Sequence, residues 1–301
     1  MLKHFGSKVR NLRVTRNITR EDFCGDETEL SVRQLARIES GQSIPNLTKA
    51  HYIAKQLNVK LDILTGGESL ELPKRYKELK YKLLRTPTYG DANRLAVREA
   101  YFDEIYEVFY EELPEDERLI IDCMQSKLDV HFSVNDNFGI TILHDYFDQI
   151  KKKKEYTTND FVMIDLYLLC FSINNYGMKS LYSLENYHFI MSKLLEQDNL
   201  LPEDNFQLNN VLLNHVELAF QFKQKKYVQQ IIHRSNAIMT EIHDFQKRPI
   251  LSLIEWKYLL IIEKDRTKAE TCFKQSILFA ELIGDLYLKG KLIEEWNKDL
   301  T

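Results

Sequence analysis

Residues 31–46, SVRQLARIESGQSIPN, decide how this chain folds. Ser31 is placed to cap a helix in which Val32, Leu35 and Ile38 form one buried stripe, and Gly41 stands where a helix ends on a left-handed residue. Arg33, Gln34 and Arg37 fall outside that stripe and face outward. After Pro45, Asn46 caps a further helix through Leu57, with Leu47, Ala50, Ile53, Ala54 and Leu57 on its inner side. A short helix with polar residues on its outer side, held between tight turns, is the pattern of a helix-turn-helix reading element.

Working outward, LKHFGSKVRNLRVTR (residues 2–16) puts Phe5, Val9 and Leu12 on one stripe, with Lys8, Arg10, Arg13 and Arg16 elsewhere around the helix. Thr19, with Asp22 three residues on, caps a short helix ending near Cys24 and Gly25. A fifth short helix runs from about Lys60 to Leu64, so five helices fill residues 1–66. Gly66, Gly67 and Pro73 mark 67–73 as a linker. From Lys74 to residue 301 helices alternate with polar turns, at a spacing that implies about five stacked pairs. A period of about 34 residues is that of a right-handed tetratricopeptide-like solenoid. Only one repeat fits well, with Ala269, Phe273, Ser276, Ile277 and Phe279 at the small and large positions of its second helix, and an irregular helical bundle is the alternative. The expected fold class is all-α.

The charge divides unevenly. Residues 1–66 hold eleven Lys and Arg against seven Asp and Glu, a balance of +4, so the rest must carry −8 of the total −4. A basic head on an acidic body suits a nucleic-acid-binding head. No stretch reaches the roughly 18 to 20 apolar residues of a membrane span, and none reads as a signal peptide, so a cytoplasmic protein without membrane partners is expected. Cys24, Cys123, Cys170 and Cys272 form no C-x-x-C pair, which argues against zinc and disulfide chemistry. His131, His144, His188, His215 and His243 are scattered, and no hydrolase, nucleotide-binding or metalloprotease motif is present. The expectation is no enzyme, no cofactor and no metal.

The reading helix carries the chemistry. Arg33 can give two hydrogen bonds to guanine O6 and N7, Gln34 can pair with adenine N6 and N7, and Arg37 lies one turn on, within reach of a base or phosphate. Thr19, Arg20, Ser43, Asn46 and Lys49 lie at helix starts and turns flanking the motif, where side chains and free N–H groups hold phosphates and set register.

The stretch from Val32 to Val59, with its I-E-x-G turn and following Pro, resembles the DNA-binding domain of Xre and lambda-repressor-like regulators. LSVRQLARIESG (30–41), YIAKQL (52–57), PTY (87–89), LPEDE (113–117) and YTTNDFVMID (156–165) further resemble the peptide-responsive Rgg and PlcR group, above all ComR-type competence regulators of streptococci. That resemblance implies a quorum-sensing transcription regulator. A short hydrophobic signalling peptide binds the concave face of the repeat domain and releases the helix-turn-helix domain, which then binds promoter DNA as a homodimer. Asn carries both donor and acceptor and suits the backbone of an extended peptide, so Asn174, Asn175, Asn209, Asn210 and Asn214 are candidates. The resemblance places the NNVLLN helix and Arg98 at the peptide groove. It also implies an off state in which Arg33 pairs with Glu115, with Asp116 or Glu117 as substitutes. Gly90 and Asp91 depart from the family pattern after PTY, which points to a different peptide specificity. A regulator of the same domain order whose repeats recruit a protein partner is the competing reading.

Overall fold

A computed structural model describes residues 2, 4–174 and 180–300, and all regular structure among them is helical. The helices form two compact units, residues 1–133 with 137–154, and residues 134–136 with 155–301. Asn175 lies outside the described residues.

In the first unit, α1 (Phe5–Thr15), α2 (Arg20–Cys24), α3 (Val32–Glu39), α4 (Leu47–Gln56) and α5 (Leu61–Thr65) surround one core. Phe5, Val9, Phe23, Leu30, Leu35, Ile38, Ile53 and Leu57 are buried together in it. Leu12 and Val32 are only partly buried at its rim, and Leu47 is 48% exposed because it stands first in its helix, ahead of the buried stripe. The caps read from sequence form: Thr19 accepts from the Asp22 N–H at 3.0 Å, Ser31 from the Gln34 N–H at 3.2 Å and Asn46 from the Lys49 N–H at 2.8 Å. Gly41 follows α3 at φ +76°, a conformation costly for any residue with a Cβ. Gly6 has a different reason to be glycine. A Cβ there would lie 1.9 Å from the Ile38 carbonyl oxygen, so α1 and α3 can approach this closely only with hydrogen at that position.

The α1–α3 approach is fastened by a buried ion cluster. Glu39, 5% exposed, accepts from Arg13 Nε at 2.6 Å and Nη2 at 3.0 Å, and from Arg20 Nε at 2.8 Å. Burial alone would raise the Glu39 pKa, but the hydrogen bonds from Arg13 and Arg20 outweigh it and hold the carboxyl below its ordinary value.

The same unit continues through α6 (Lys74–Arg85), α7 (Ala92–Val108), α8 (Glu115–Ser133) and α9 (Asn137–Lys152). Glu117, buried on α8, accepts from the Tyr76 hydroxyl at 2.6 Å and Lys80 Nζ at 2.7 Å, which fixes α8 against α6. Leu143, Phe147 and Ile150 form the buried stripe of α9, which packs on α8.

The second unit is built on α10 (Thr158–Ile173), buried almost all round, as expected of a central helix. It packs against α12 (Pro202–Asn214), which packs in turn against α14 (Lys225–Glu241). α11 (Leu184–Glu196) and the short α13 (Val216–Gln221) complete this part. α15 (Arg248–Tyr258) then packs closely on α16 (Arg266–Leu282) because Ala269 and Ser276 are small and fully buried, with Ser276 Oγ donating to the Pro249 carbonyl at 2.9 Å. α17 (Leu286–Asp299) closes the unit through Trp296, stacked on Phe273 and edge-on to Trp256. These are the tetratricopeptide-like helix pairs expected from the sequence.

Because Glu39 has a lowered pKa in the fold, its contribution is complete above the ordinary value of 4.5 and is lost as pH falls through the lower folded value. Glu39→Gln should destabilise the chain by about 3 kcal/mol at neutral pH, by the usual cost of breaking a buried pair. Thermal melts of both proteins check this: the gap between them should shrink steadily below pH 4.5.

Candidate functional site

The reading helix α3 is held at its start by two devices. The Gln34 side-chain oxygen accepts from the Ser31 N–H at 3.1 Å, completing a capping box, and Glu27 Oε1 accepts from the Val32 N–H at 3.0 Å. Gln34 is therefore 3% exposed and is not displayed beside Arg33 and Arg37 as the sequence suggested. Standing three residues after the cap, it is drawn back to the helix start. Gln149 Nε2 of α9 also lies 3.4 Å from its oxygen.

Arg33 and Arg37 do face outward, and each meets an acid. Arg33 pairs with Asp145 of α9, whose carboxyl is held below its ordinary pKa by that hydrogen bond. Arg37 Nη1 donates to Glu115 Oε1 at 2.9 Å and to the Tyr146 hydroxyl at 2.7 Å, while that hydroxyl donates to the same carboxylate oxygen at 2.8 Å. Burial first, then the Glu115 charge, pushes the Tyr146 pKa up to about 12. The expected Arg33–Glu115 pair is thus replaced. The Glu115 N–H donates to the Ile44 carbonyl at 3.2 Å, so the start of α8 abuts the turn after α3 and its acid reaches the arginine nearer that turn. Arg33 lies one turn, about 6 Å, further back along the helix. It meets α9 instead.

The phosphate candidates divide into two groups. Asn46 Nδ2 donates to Asp116 Oδ2 at 2.7 Å and Lys49 Nζ to Asp116 Oδ1 at 2.5 Å, so one carboxylate occupies both. Thr19, Arg20 and Ser43 are engaged within their own domain or buried. Thr19 caps α2, Arg20 holds Glu39, and Ser43 is buried with its hydroxyl unpartnered. Glu117 has no place at this surface, being committed to α6. The arrangement sets three carboxylates, Asp145, Glu115 and Asp116, against three cations of the helix-turn-helix segment, Arg33, Arg37 and Lys49.

The peptide candidates fall in both units. Arg98 of α7 donates through Nη1 to the Leu83 carbonyl at 2.6 Å and lies over the Phe102 ring. With Lys82, Thr86, Val97 and Tyr101 it lines a cavity of about 190 Å³ with a largely apolar surface. In the second unit, Asn209 and Asn210 are buried on α12, and the side-chain oxygen of each has no hydrogen-bond partner among the described residues. Asn214 is exposed, with Nδ2 3.3 Å from Asp165 Oδ1, an oxygen also 2.6 Å from His215 Nε2. Asn174 is spent on its own helix, its side chain donating to the Cys170 carbonyl at 2.9 Å.

The ComR tetratricopeptide family model matches residues 73–296, and a helix-turn-helix model matches residues 9–64. ComR from Streptococcus suis has 38% identity and a TM-score of 0.83, over 100% of this chain and 96% of that one. The chain belongs to the ComR family. The apo form of ComR from Streptococcus vestibularis has 30% identity and a TM-score of 0.81, over 99% and 98% of the two chains. ComR from Streptococcus thermophilus, in complex with DNA and its signalling peptide ComS, has 27% identity and a TM-score of 0.68 over 99% and 100%. No curated protein matches the chain.

In this ComR-family chain nothing in the sequence marks α9 as a helix that meets the reading domain. Asp145, Gln149 and Lys152 lie at i, i+4 and i+7 on one polar stripe. Gln149 Nε2 reaches the Glu27 and Thr28 carbonyls at 3.1 and 3.3 Å, and Lys152 Nζ reaches Glu27 Oε2 at 3.1 Å. The only signal in HDYFDQIKK is that of a solvated helix face. Gln34→Ala tests the capping assignment: unfolding stability should drop by about 1 kcal/mol, the usual worth of a helix cap. A residue that only read bases would leave denaturant midpoints unchanged.

Proposed function

We propose that this chain is a cytoplasmic, peptide-responsive transcription regulator whose reading helix is held off DNA by its own acids. The observation that carries the reading is the occupation of Arg33, Arg37 and Lys49 by Asp145, Glu115 and Asp116. A guanidinium whose donors point at a carboxylate cannot at the same time address the O6 and N7 edge of guanine, so DNA binding requires these pairs to open. The S. thermophilus relative, solved with DNA and a signalling peptide, supports assigning both partners to this chain. No helix among the described residues is long and apolar enough to cross a membrane, which fits a regulator acting in the cytoplasm.

The peptide site is assigned to the repeat helices. The unpartnered oxygens of Asn209 and Asn210 are acceptors for the N–H groups of an extended chain, with Asn214 a further candidate in the same unit; Arg98, in the first unit, is a separate candidate. Base reading belongs to Arg33 and Arg37, with Asn46 and Lys49 on phosphate. A dimer on a two-fold site is the form in which two such helices reach successive turns of the major groove.

The test is an electrophoretic mobility shift on a duplex selected from a random pool, without peptide. Glu115→Gln/Asp116→Asn should raise affinity roughly ten- to hundredfold, since a few partly exposed ion pairs together amount to about 1.4 to 2.8 kcal/mol. Unchanged affinity would dismiss the latch. Lys49→Ala placed in that opened variant should flatten the dependence of log K on log salt by about one unit, the signature of one lost phosphate contact. Arg33→Ala there should instead cost about 1 to 3 kcal/mol at one base step only.

A further inference from the structure

The two acidic helices are anchored differently. α8 is fixed inside the first unit along its length: Glu115 N–H to Ile44, Glu117 to Tyr76 and Lys80, and Asp122 to the hydroxyls of Tyr106 at 3.3 Å and Tyr110 at 2.7 Å. α9 is held by other contacts. Its buried stripe packs on α8, and its polar stripe holds the reading domain through Asp145, Tyr146, Gln149 and Lys152.

The chain at both ends of α9 belongs to the second unit. Residues 134–136, just before it, and the chain from residue 155 on, just after it, both belong to the second unit. Each tie ends in a buried residue of that unit. Asp136 is 6% exposed and lies beside Tyr182. Tyr156 is 1% exposed, and its N–H donates to the Gln197 side chain at 2.8 Å.

The joint between α8 and α9 is also strained. Val134 sits at φ +52°, and it is β-branched, unlike the other left-handed non-glycine residues. The residue is 69% exposed, so little packing offsets the conformation. Such strain persists only while the surroundings enforce it.

We propose that α9 is the moving half of the latch and α8 the fixed half: the second unit, continuous in sequence with both ends of α9, draws its polar stripe off the reading domain, and Val134 is the strained pivot. The proposal rests on the latch described above and adds the route by which the repeats control it. A shift of α9 along α8 keeps Leu143, Phe147 and Ile150 in apolar contact while the polar stripe lets go. That is a small shear of packed helices.

The experiment uses the full chain without ligand. Native-state hydrogen exchange resolves α8 from α9, and mobility shifts on the selected duplex give DNA affinity. Val134→Gly removes the left-handed penalty from the closed form and should slow α9 exchange and weaken DNA binding, each about fivefold. Gln149→Ala removes hydrogen bonds but no charge and should speed α9 exchange and strengthen DNA binding, each about threefold. Exchange in α8 should not change in either variant. If α8 and α9 rates change together, or if neither variant alters α9 exchange or DNA affinity, the moving-α9 proposal is overturned. That result is distinct from failure of the latch itself, in which Glu115→Gln/Asp116→Asn leaves DNA affinity unaltered.

Discussion

One buried carboxylate makes the rest of the arrangement workable. Glu39 takes hydrogen bonds from Arg13 on α1 and Arg20 at the start of α2 while standing at the end of the reading helix. Three elements are thereby tied at one point. With Gly6 set against Ile38, α3 cannot shift within its domain without opening a buried ion cluster. Holding two side chains of α3 therefore holds the whole domain, which is what the proposed latch on Arg33 and Arg37 requires.

The proposed latch and its target share one chemistry. Carboxylates on α8 and α9 offer the cations of the reading domain what phosphates and guanine edges offer, so the two states exclude each other without a steric block. Each pair is individually weak. Arg33 and Asp145 are both partly exposed, and salt screens such a contact. The contact with Arg37 is sturdier, because Tyr146 and Glu115 surround it in a half-buried setting. Glu115 and Asp116 lie in the first turn of α8, where the helix dipole favours negative charge, so holding acids there carries no penalty while the latch is open.

Much of this was legible from residue order. The stripe Leu35 and Ile38, the caps Ser31 and Asn46, and Gly41 are local signals, and each formed as read. Glu115 and Asp116 were legible as acids facing the reading domain only through family resemblance, and even then the partner of Glu115 was misplaced by one helical turn. That error is physical. The 78-residue separation between Arg37 and Glu115 is closed by the contact of the α8 start with Ile44, which no local pattern encodes. Gln34 was misread because a capping-box partner and an outward reader are the same residue type at the same position. Asp145, Tyr146 and Gln149 were invisible for the opposite reason: a polar stripe on an amphipathic helix looks the same whether it meets solvent or another domain.

Dividing the latch between two helices has a consequence that a single strong contact would not have. If all the acids stood on α8, welded to α6 and α7, release would require the first unit to come apart. Acids on α9 alone would leave Lys49 and Asn46 free to engage phosphate while Arg33 and Arg37 were still covered, giving partial binding without peptide. With both, loss of the α9 contacts removes the partners of Arg33, and one of the two partners of Arg37, while Asp116 still competes for Lys49. In the proposed latch DNA can then complete the opening, because its phosphates compete with the two carboxylates that remain, Glu115 on Arg37 and Asp116 on Lys49. Under the proposed mechanism, peptide and promoter each supply part of the free energy, and neither alone needs to supply all of it.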